Sequence, residues 1–281
     1  MSARPAAPPA AWDEWDELAP VPDSPVRKLR RLGSRVVTMC LVEVQKLRRD
    51  RVEMLTRAVQ PALWLVIFGE TFNRLRVIPS GDVPYLDYLT PGILAQSALF
   101  VAIFYGIQVI WERDAGVLAK LMATPTPRSA LVTGKAFAAG LRGLVQAAVV
   151  VVLAALLGVQ LRADPLRLLA VAGLVLLGSS FFCSLSITIA GLVLSREQLM
   201  GIGQLIMMPL FFASNALYPV AVMPAWLRAL NHVNPLSYEI DALRGVLLGT
   251  PANLVLDVGV LVGASALAIT VASALLPRLA R

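Results

Sequence analysis

The sequence predicts an all-α membrane protein with six transmembrane helices, preceded by an amphipathic interfacial helix and with both termini in the cytoplasm. Of the 281 residues, 57% are hydrophobic and 15% are charged, whereas soluble domains have about half and about a quarter. Six apolar segments have lengths close to the ~20 residues that a bilayer core requires. They are residues 58–73, 91–111, 136–158, 168–194, 199–218 and 254–276.

Two of these spans have recognisable start signals. Thr90 directly precedes Pro91 and is predicted to cap the second span, because proline at the first helical position loses no hydrogen bond. Asn253 is predicted to cap the sixth span in the same way.

The lysines and arginines orient the spans, because positively charged loops remain cytoplasmic. In a six-span arrangement, 18 of the 25 basic residues lie on the side of the two termini and six lie on the other side. Arg142 falls inside the third span. Both termini are therefore expected in the cytoplasm. The net charge of +7 is best explained by attraction to the membrane surface, and no nucleic-acid partner is expected.

Three segments outside the spans are predicted to lie on the cytoplasmic side. Residues 1–26 are rich in proline and alanine and contain no signal-peptide core, so a disordered tail is expected. In residues 27–56, apolar side chains recur every three or four positions among basic ones, which predicts an amphipathic helix at the lipid interface. A docking helix without lipid contact is the alternative. Residues 277–281 form a short tail.

The longest cytoplasmic connection between spans contains a predicted coupling helix, residues 113–123. Val117, Leu118 and Leu121 share one helical face, and Pro125 ends the helix. A short helix held between two spans could receive a mechanical push from a soluble partner. An ordinary interfacial connector would have the same pattern.

On the opposite side, residues 219–252 are too polar and too often interrupted by proline to cross the bilayer. They are predicted to form an outer re-entrant segment, in which Trp226 and Tyr238 suit the interface. Asp241 and Arg244 are spaced for a local contact between residues i and i+3.

The chain lacks the residues that most enzymes require. Two cysteines, Cys40 and Cys183, and one histidine, His232, are too few for a metal site built on such ligands. Gly134-Lys135 is followed by Ala136, so no phosphate-binding loop is present. No catalytic residue, metal or bound cofactor is therefore expected, and ATP-driven work would need another subunit.

Three motifs follow one another along this arrangement: Glu112-Arg113-Asp114-Ala115-Gly116, Thr124-Pro125 and Asn234-Pro235-Leu236-Ser237-Tyr238. With the amphipathic helix and six spans, they resemble the permease subunits of ATP-binding-cassette exporters of the type-2 class. The similarity covers nearly all of residues 27–276. By length and loop pattern, the drug-resistance and lipo-oligosaccharide export branches are the most similar.

The resemblance implies a multi-pass permease of a prokaryotic inner or plasma membrane. Its partners would be two copies of a separate ABC ATPase, which binds ATP and Mg, a second copy of itself or a homologous permease, and membrane lipid. ATP binding would push on the coupling helix, and the turn between spans four and five would make a further contact. The coupling residues implied are Glu112, Arg113, Gly116, Leu118, Leu121, Arg196 and Glu197.

The resemblance also implies that spans two and five line the substrate path. The candidate path residues in span five are Gln204, Met207, Met208, Phe211 and Phe212. Methionine and aromatic residues at this spacing also fit a well-packed core helix.

The expected function is ATP-driven efflux of an amphiphilic drug-like or lipid-linked molecule, with antibiotic resistance as the biological setting. Export of a polysaccharide or lipid-linked glycan is an alternative, which the aromatic content of 7% does little to support. A membrane scaffold or enzyme subunit that needs no ATPase is an alternative of another class.

Overall fold

The computed structural model describes residues 59–69, 71–72, 83–123, 127–162, 164–193 and 195–279, and its regular elements in these ranges are all helical. The predicted tail 1–26 and the predicted amphipathic helix 27–56 lie outside the described residues, as do Thr124 and Pro125 of the second motif.

The described helices follow one another with short connections. The first five are α1 (Val59–Gly69), whose second half is a π-helix, α2 (Tyr85–Asp114), α3 (Val117–Met122), α4 (Arg128–Leu156) and α5 (Pro165–Leu192). They are followed by α6 (Arg196–Phe212), a 3₁₀ turn (Val220–Val222), α7 (Ala225–Val233), α8 (Pro235–Leu248) and α9 (Leu254–Leu279).

Four of the described helices are long and apolar enough to cross a membrane: α2, α4, α5 and α9. They correspond to the second, third, fourth and sixth predicted spans, although α4 ends at Leu156 and α5 at Leu192, each two residues before the predicted end of its span. The first predicted span is represented by the shorter apolar helix α1. The helix predicted over 199–218 ends at Phe212 and has 17 residues, or about 25 Å at 1.5 Å per residue, against a hydrocarbon thickness of about 30 Å.

Local hydrogen bonds explain the early end of α6. Ser214 donates its hydroxyl proton to the Phe211 carbonyl oxygen, at 2.6 Å, and accepts the amide proton of Ala216, at 3.3 Å. Serine bonds of this kind compete with the continuing helical ladder. The chain therefore turns at residues 213–219 instead of extending the helix to residue 218.

Other boundaries also differ from the prediction. The second span begins at Tyr85, and Thr90 does not cap it, because its hydroxyl group donates to the Leu86 carbonyl oxygen inside α2. The predicted coupling helix 113–123 is divided, since α2 continues through Asp114 and α3 begins at Val117. Asn253 does accept the Leu256 amide proton, at 3.3 Å, as a cap of α9. Helix α9 also absorbs residues 277–279 of the predicted tail.

Helix α2 is the centre of the bundle. In its most apolar stretch, 83% of the residues are buried, against 22% in α9. It packs against α4 and α5 along its length and also touches α1, α6 and α8, whereas α9 packs mainly on α5. The largest fully buried side chains are Phe182 of α5 and Phe211 of α6, two helices that pack against α2.

Small residues let α2 and α5 approach closely. Gly106 of α2 faces Ser186 and Cys183 of α5, and a Cβ at residue 106 would lie 2.7 Å from the Cys183 carbonyl oxygen. The Ser186 hydroxyl group donates to the Ile103 carbonyl oxygen of α2, at 2.9 Å. Such close contacts and interhelical hydrogen bonds hold helices together where lipid supplies no hydrophobic driving force.

Replacing Gly106 with alanine is therefore expected to destabilise the protein by about 1–3 kcal/mol, because the added methyl group overpacks the α2–α5 contact. The gain in helix propensity, about 1 kcal/mol, is too small to offset this. The unfolding midpoint in detergent micelles measures the effect. Gly173→Ala is the matched control, since a Cβ at residue 173 would meet no other part of the described chain within 4 Å. Equal midpoints for the two variants would contradict the close contact.

Candidate functional site

The predicted coupling residues gather at one end of the bundle, which we call the coupling end and define by residues 112–123 and 195–197. Helix α2 ends there in a tight turn, in which the Gly116 amide donates to the Arg113 carbonyl oxygen, at 2.9 Å. Gly116 has a φ of +70°, which favours glycine because other residues are strained there. The turn lets α3 leave the axis of α2.

Helix α3 presents two different faces. Leu118 is 1% exposed and Leu121 is half-buried against the core, so both side chains hold the helix onto the bundle. Val117 is 43% exposed, and Lys120 is also exposed. The predicted roles of Leu118 and Leu121 stay predictions, but the surface open to a partner is formed by their neighbours.

Ion pairs connect the coupling end to two other helices. Arg196 Nε at the start of α6 lies 2.5 Å from Asp114 Oδ2, and Arg113 Nε lies 2.9 Å from the other oxygen of Asp114. Lys135 Nζ of α4 lies 2.5 Å from the Glu112 carboxylate. The pairs of Asp114 are exposed and add little stability, and the pair of Lys135 with Glu112 is partly buried. Together the pairs connect the ends of α2, α4 and α6.

The structure thus brings together most of the predicted coupling residues and adds two. Glu112, Arg113 and Arg196 take part in the ion pairs, whereas Glu197 is exposed in the first turn of α6. Sequence reasoning did not select Asp114 and Lys135. The sequence did offer a signal for both, because Asp114 and Lys135 are oppositely charged and lie at the ends of the second and third predicted spans.

The five candidate path residues of α6 divide between two faces. Met207 and Phe211 are fully buried, and the Phe211 ring contacts the Trp64 ring of α1 edge-on, with centroids 5.5 Å apart. The other face carries Gln204, Met208 and Phe212 at intervals of four residues, with Met208 37% and Phe212 44% exposed. We call these three residues the α6 stripe. Met207 and Phe211 are therefore core residues in the described chain.

A cavity of about 300 Å³ lies between α1, α2 and α4. Its lining combines aromatic rings with amide and hydroxyl groups: Gln60, Pro61, Ser97, Phe100, Val101, Phe104 and Gln146. Sequence reasoning did not identify it, because its residues come from three helices that are distant along the chain.

The motif Asn234–Tyr238 joins α7 and α8 into a hairpin at the other end of the bundle. Asn234 caps α8 by accepting the Leu236 amide proton, at 3.1 Å, and donates to the Leu210 carbonyl oxygen of α6, at 2.7 Å. Asn231 of α7 donates to the Ser237 hydroxyl group, at 2.8 Å, and Tyr238 donates to the His232 carbonyl oxygen, at 2.6 Å. The motif therefore fixes the angle of the hairpin and its position on α6.

Arg244 connects the C-terminal half of α8 to other parts of the bundle. The predicted local contact is present, with Nη1 3.2 Å from Asp241 Oδ1, but the guanidinium reaches further. Its Nη2 donates to the Asn215 carbonyl oxygen, at 3.0 Å, and the group lies 3.9 Å from the centre of the Tyr88 ring of α2. Asn215 in turn donates to Asp241, at 2.6 Å. One arginine thus joins α2, α8 and the turn after α6.

Replacing Arg244 with lysine is expected to lower the free energy of unfolding by about 1–3 kcal/mol. Lysine keeps the charge but cannot span Asp241 and Asn215 with a planar fork, and buried acceptors lose their donors. The unfolding midpoint in detergent micelles measures this loss. Arg278→Lys is the control, because Arg278 is exposed in the last turn of α9. Unchanged stability in both variants would show that charge alone suffices at residue 244.

Comparison with known proteins identifies the family. Residues 35–248 match the model of the ABC-2 type transporter domain. A protein of Cyanophora paradoxa named as a transport permease, ycf38, is 29% identical over 205 residues, which are 71% of this chain and 69% of that protein. The daunorubicin resistance ABC transporter permease DrrB1 of Streptomyces coeruleorubidus is 29% identical over 233 residues, 82% of this chain and 80% of that protein.

A third relative, from Mycobacterium tuberculosis, is named for doxorubicin resistance as the ABC transporter permease DrrC. It is 26% identical over 204 residues, which are 72% of this chain and 73% of that protein. The family match covers most of the chain and includes the coupling end and the α7–α8 hairpin. This chain belongs to the ABC-2 type transporter family, whose members include permeases of the drug-resistance type.

Proposed function

We propose that the chain is the transmembrane permease subunit of an ATP-driven exporter. Its substrate would be an amphiphilic drug-like or lipid-linked molecule, moved out of the cytoplasm or the inner leaflet of a prokaryotic plasma membrane. The observation that carries the proposal is the structure of the coupling end. There the short helix α3 is anchored to the bundle through Leu118 and exposes Val117 and Lys120. The drug-resistance names of two relatives support the choice of substrate.

In this proposal the chain crosses the membrane six times, with α1 and α6 as the two shorter crossings and both termini in the cytoplasm. The coupling end then faces the cytoplasm and the α7–α8 hairpin faces outward. The excess of lysine and arginine on the side of the coupling end supports this orientation.

ATP and Mg would be bound by a separate ABC ATPase, present in two copies, because this chain has no phosphate-binding loop. Closure of the ATPase pair would push on Val117 and Lys120 of α3. Leu118 would transmit the push to the bundle, and the ion pair of Asp114 with Arg196 would pass it to α6. The α2 end would therefore move together with the start of α6.

The substrate would pass along the α6 stripe, toward a second copy of the chain or a homologous permease. Gln204, Met208 and Phe212 supply an amide, a polarizable thioether and an aromatic ring on one exposed face. Such a surface suits an amphiphile, since thioethers and rings adapt to apolar groups and an amide can hydrogen-bond a polar one. The cavity between α1, α2 and α4 offers the same mixture closer to membrane lipid.

Substituting Val117 with glutamate is expected to weaken binding of the ATPase about tenfold, which corresponds to about 1.4 kcal/mol, because it places a charge in an apolar contact. The measurements are recovery of the ATPase with the tagged chain and ATP-dependent uptake of daunorubicin by inside-out vesicles. Val222→Glu is the matched control, because Val222 is similarly exposed, at 50%, but lies beyond the coupling end. If the wild-type chain recovered no ATPase, the exporter proposal would be wrong.

The two faces of α6 are expected to respond differently to truncation. Phe212→Ala should change the apparent affinity for the transported compound with little change in stability, because the side chain is 44% exposed. Phe211→Ala should instead destabilise the protein by about 3–5 kcal/mol through loss of a buried ring. Unfolding midpoints and the concentration dependence of vesicle uptake separate the two effects. Equal destabilisation by both variants would argue against an exposed path on α6.

A further inference from the structure

Glu239 of α8 is buried in an unusual way. Its side chain is 0% exposed, and neither carboxyl oxygen has a hydrogen-bond partner among the described residues. A carboxylate without donors is far too costly to bury, whereas the neutral acid carries no charge to desolvate. Burial without hydrogen-bond donors therefore favours the protonated form of the Glu239 side chain.

The carboxyl group lies directly on the backbone of α5. A Cβ at Gly178 would coincide with the Glu239 carboxyl group, so only glycine leaves room for it. Gly178 lies in the middle of α5, and Glu239 lies in the first half of α8. An ionisable group at such depth is a candidate for function, because most positions there are apolar.

Among the described residues, no charged side chain donates a hydrogen bond to Glu239. On α8, Asp241 and Arg244 point to Asn215 and Tyr88. Arg167 of α5 pairs with Asp164 and donates to the Val246 carbonyl oxygen. Asp87 lies in the first turn of α2, where it accepts the Gln160 amide proton, and Asp257 lies in the first turn of α9. The other charged residues of these two helices lie in their last turns: Glu112, Arg113, Asp114 and Arg278.

Burial alone therefore acts on Glu239, and it raises the pKa of this carboxyl group well above its usual range. Helix α8 is not among the described helices long enough to cross a membrane, and it is held near its two ends by Asn234 and Arg244. Separation of the hairpin from α5 would bring water to the acid.

We propose that Glu239 is a proton-binding site, which holds one proton while the α7–α8 hairpin is packed on α5 and releases it to water when the two separate. Packing and proton binding are then linked. Because the packed state holds more protons than the separated state, a rise in pH favours separation. The proposal uses neither the ATPase nor transport, and it stands or fails independently of the exporter function.

Infrared spectroscopy of the purified full-length chain in lipid nanodiscs tests the proposal. The carbonyl stretch of a protonated carboxylic acid is expected in the wild type at neutral pH and is expected to be lost in Glu239→Gln. Glu197→Gln is the control and should retain the band, because Glu197 is exposed on α6. A wild-type spectrum without a band that Glu239→Gln removes would overturn the proposal.

The pH dependence of unfolding gives a second readout. Glu239 is expected to stabilise the packed chain most below the ordinary carboxyl pKa, and to lose this contribution as pH rises toward its raised pKa. The unfolding midpoint of the wild type should therefore fall more steeply with pH than that of Glu239→Gln. Equal slopes would contradict a proton held by Glu239. If Glu239→Gln were not recovered folded, Glu239→Asp should shift the infrared band, and an unshifted band would also overturn the proposal.

Discussion

The contact between α2 and α5 is the constraint on which the other contacts of the bundle depend. In lipid, apolar surface gains little by leaving the solvent, so helices associate through close packing and interhelical hydrogen bonds. Gly106 permits the approach of the two backbones, and Ser186 closes it with a hydrogen bond to Ile103. Every other long helix touches at least one member of this pair.

Supported by this contact, α2 extends as one helix between the two ends of the bundle. Its 30 residues extend for about 45 Å at the usual helical rise, and α4 and α5 pack against them. One end carries Glu112 and Asp114, which pair with α4 and α6, and the other end carries Tyr88, on which Arg244 rests. The two ends of α2 are therefore each attached to other helices, and Pro91 interrupts the hydrogen-bond ladder of α2 near its Tyr88 end.

Sequence reasoning predicted the elements that depend on composition and failed where tertiary contacts decide. Four spans follow from long apolar runs, which need no partner to be recognised. The predicted end of α6 was wrong because the Ser214 hydroxyl group hydrogen-bonds the backbone of Phe211 and Ala216. The resemblance also placed Phe211 and Phe212 together as path residues, whereas the structure buries the Phe211 ring beside Trp64 and leaves Phe212 44% exposed. The reach of Arg244 to Asn215 and Tyr88 depends on residues far away in the chain.

The shallow packing of α9 has a consequence for how the protein is made. Only 22% of the residues in its most apolar stretch are buried, and small residues, Ser265, Ala268 and Ala272, form much of the covered surface. Helix α9 is synthesised after the helices on which it packs, and α5 supplies its most extensive contact. The other helices can therefore contact one another before α9 is made, and we expect α9 to attach laterally to α5 as a separate, late step of assembly.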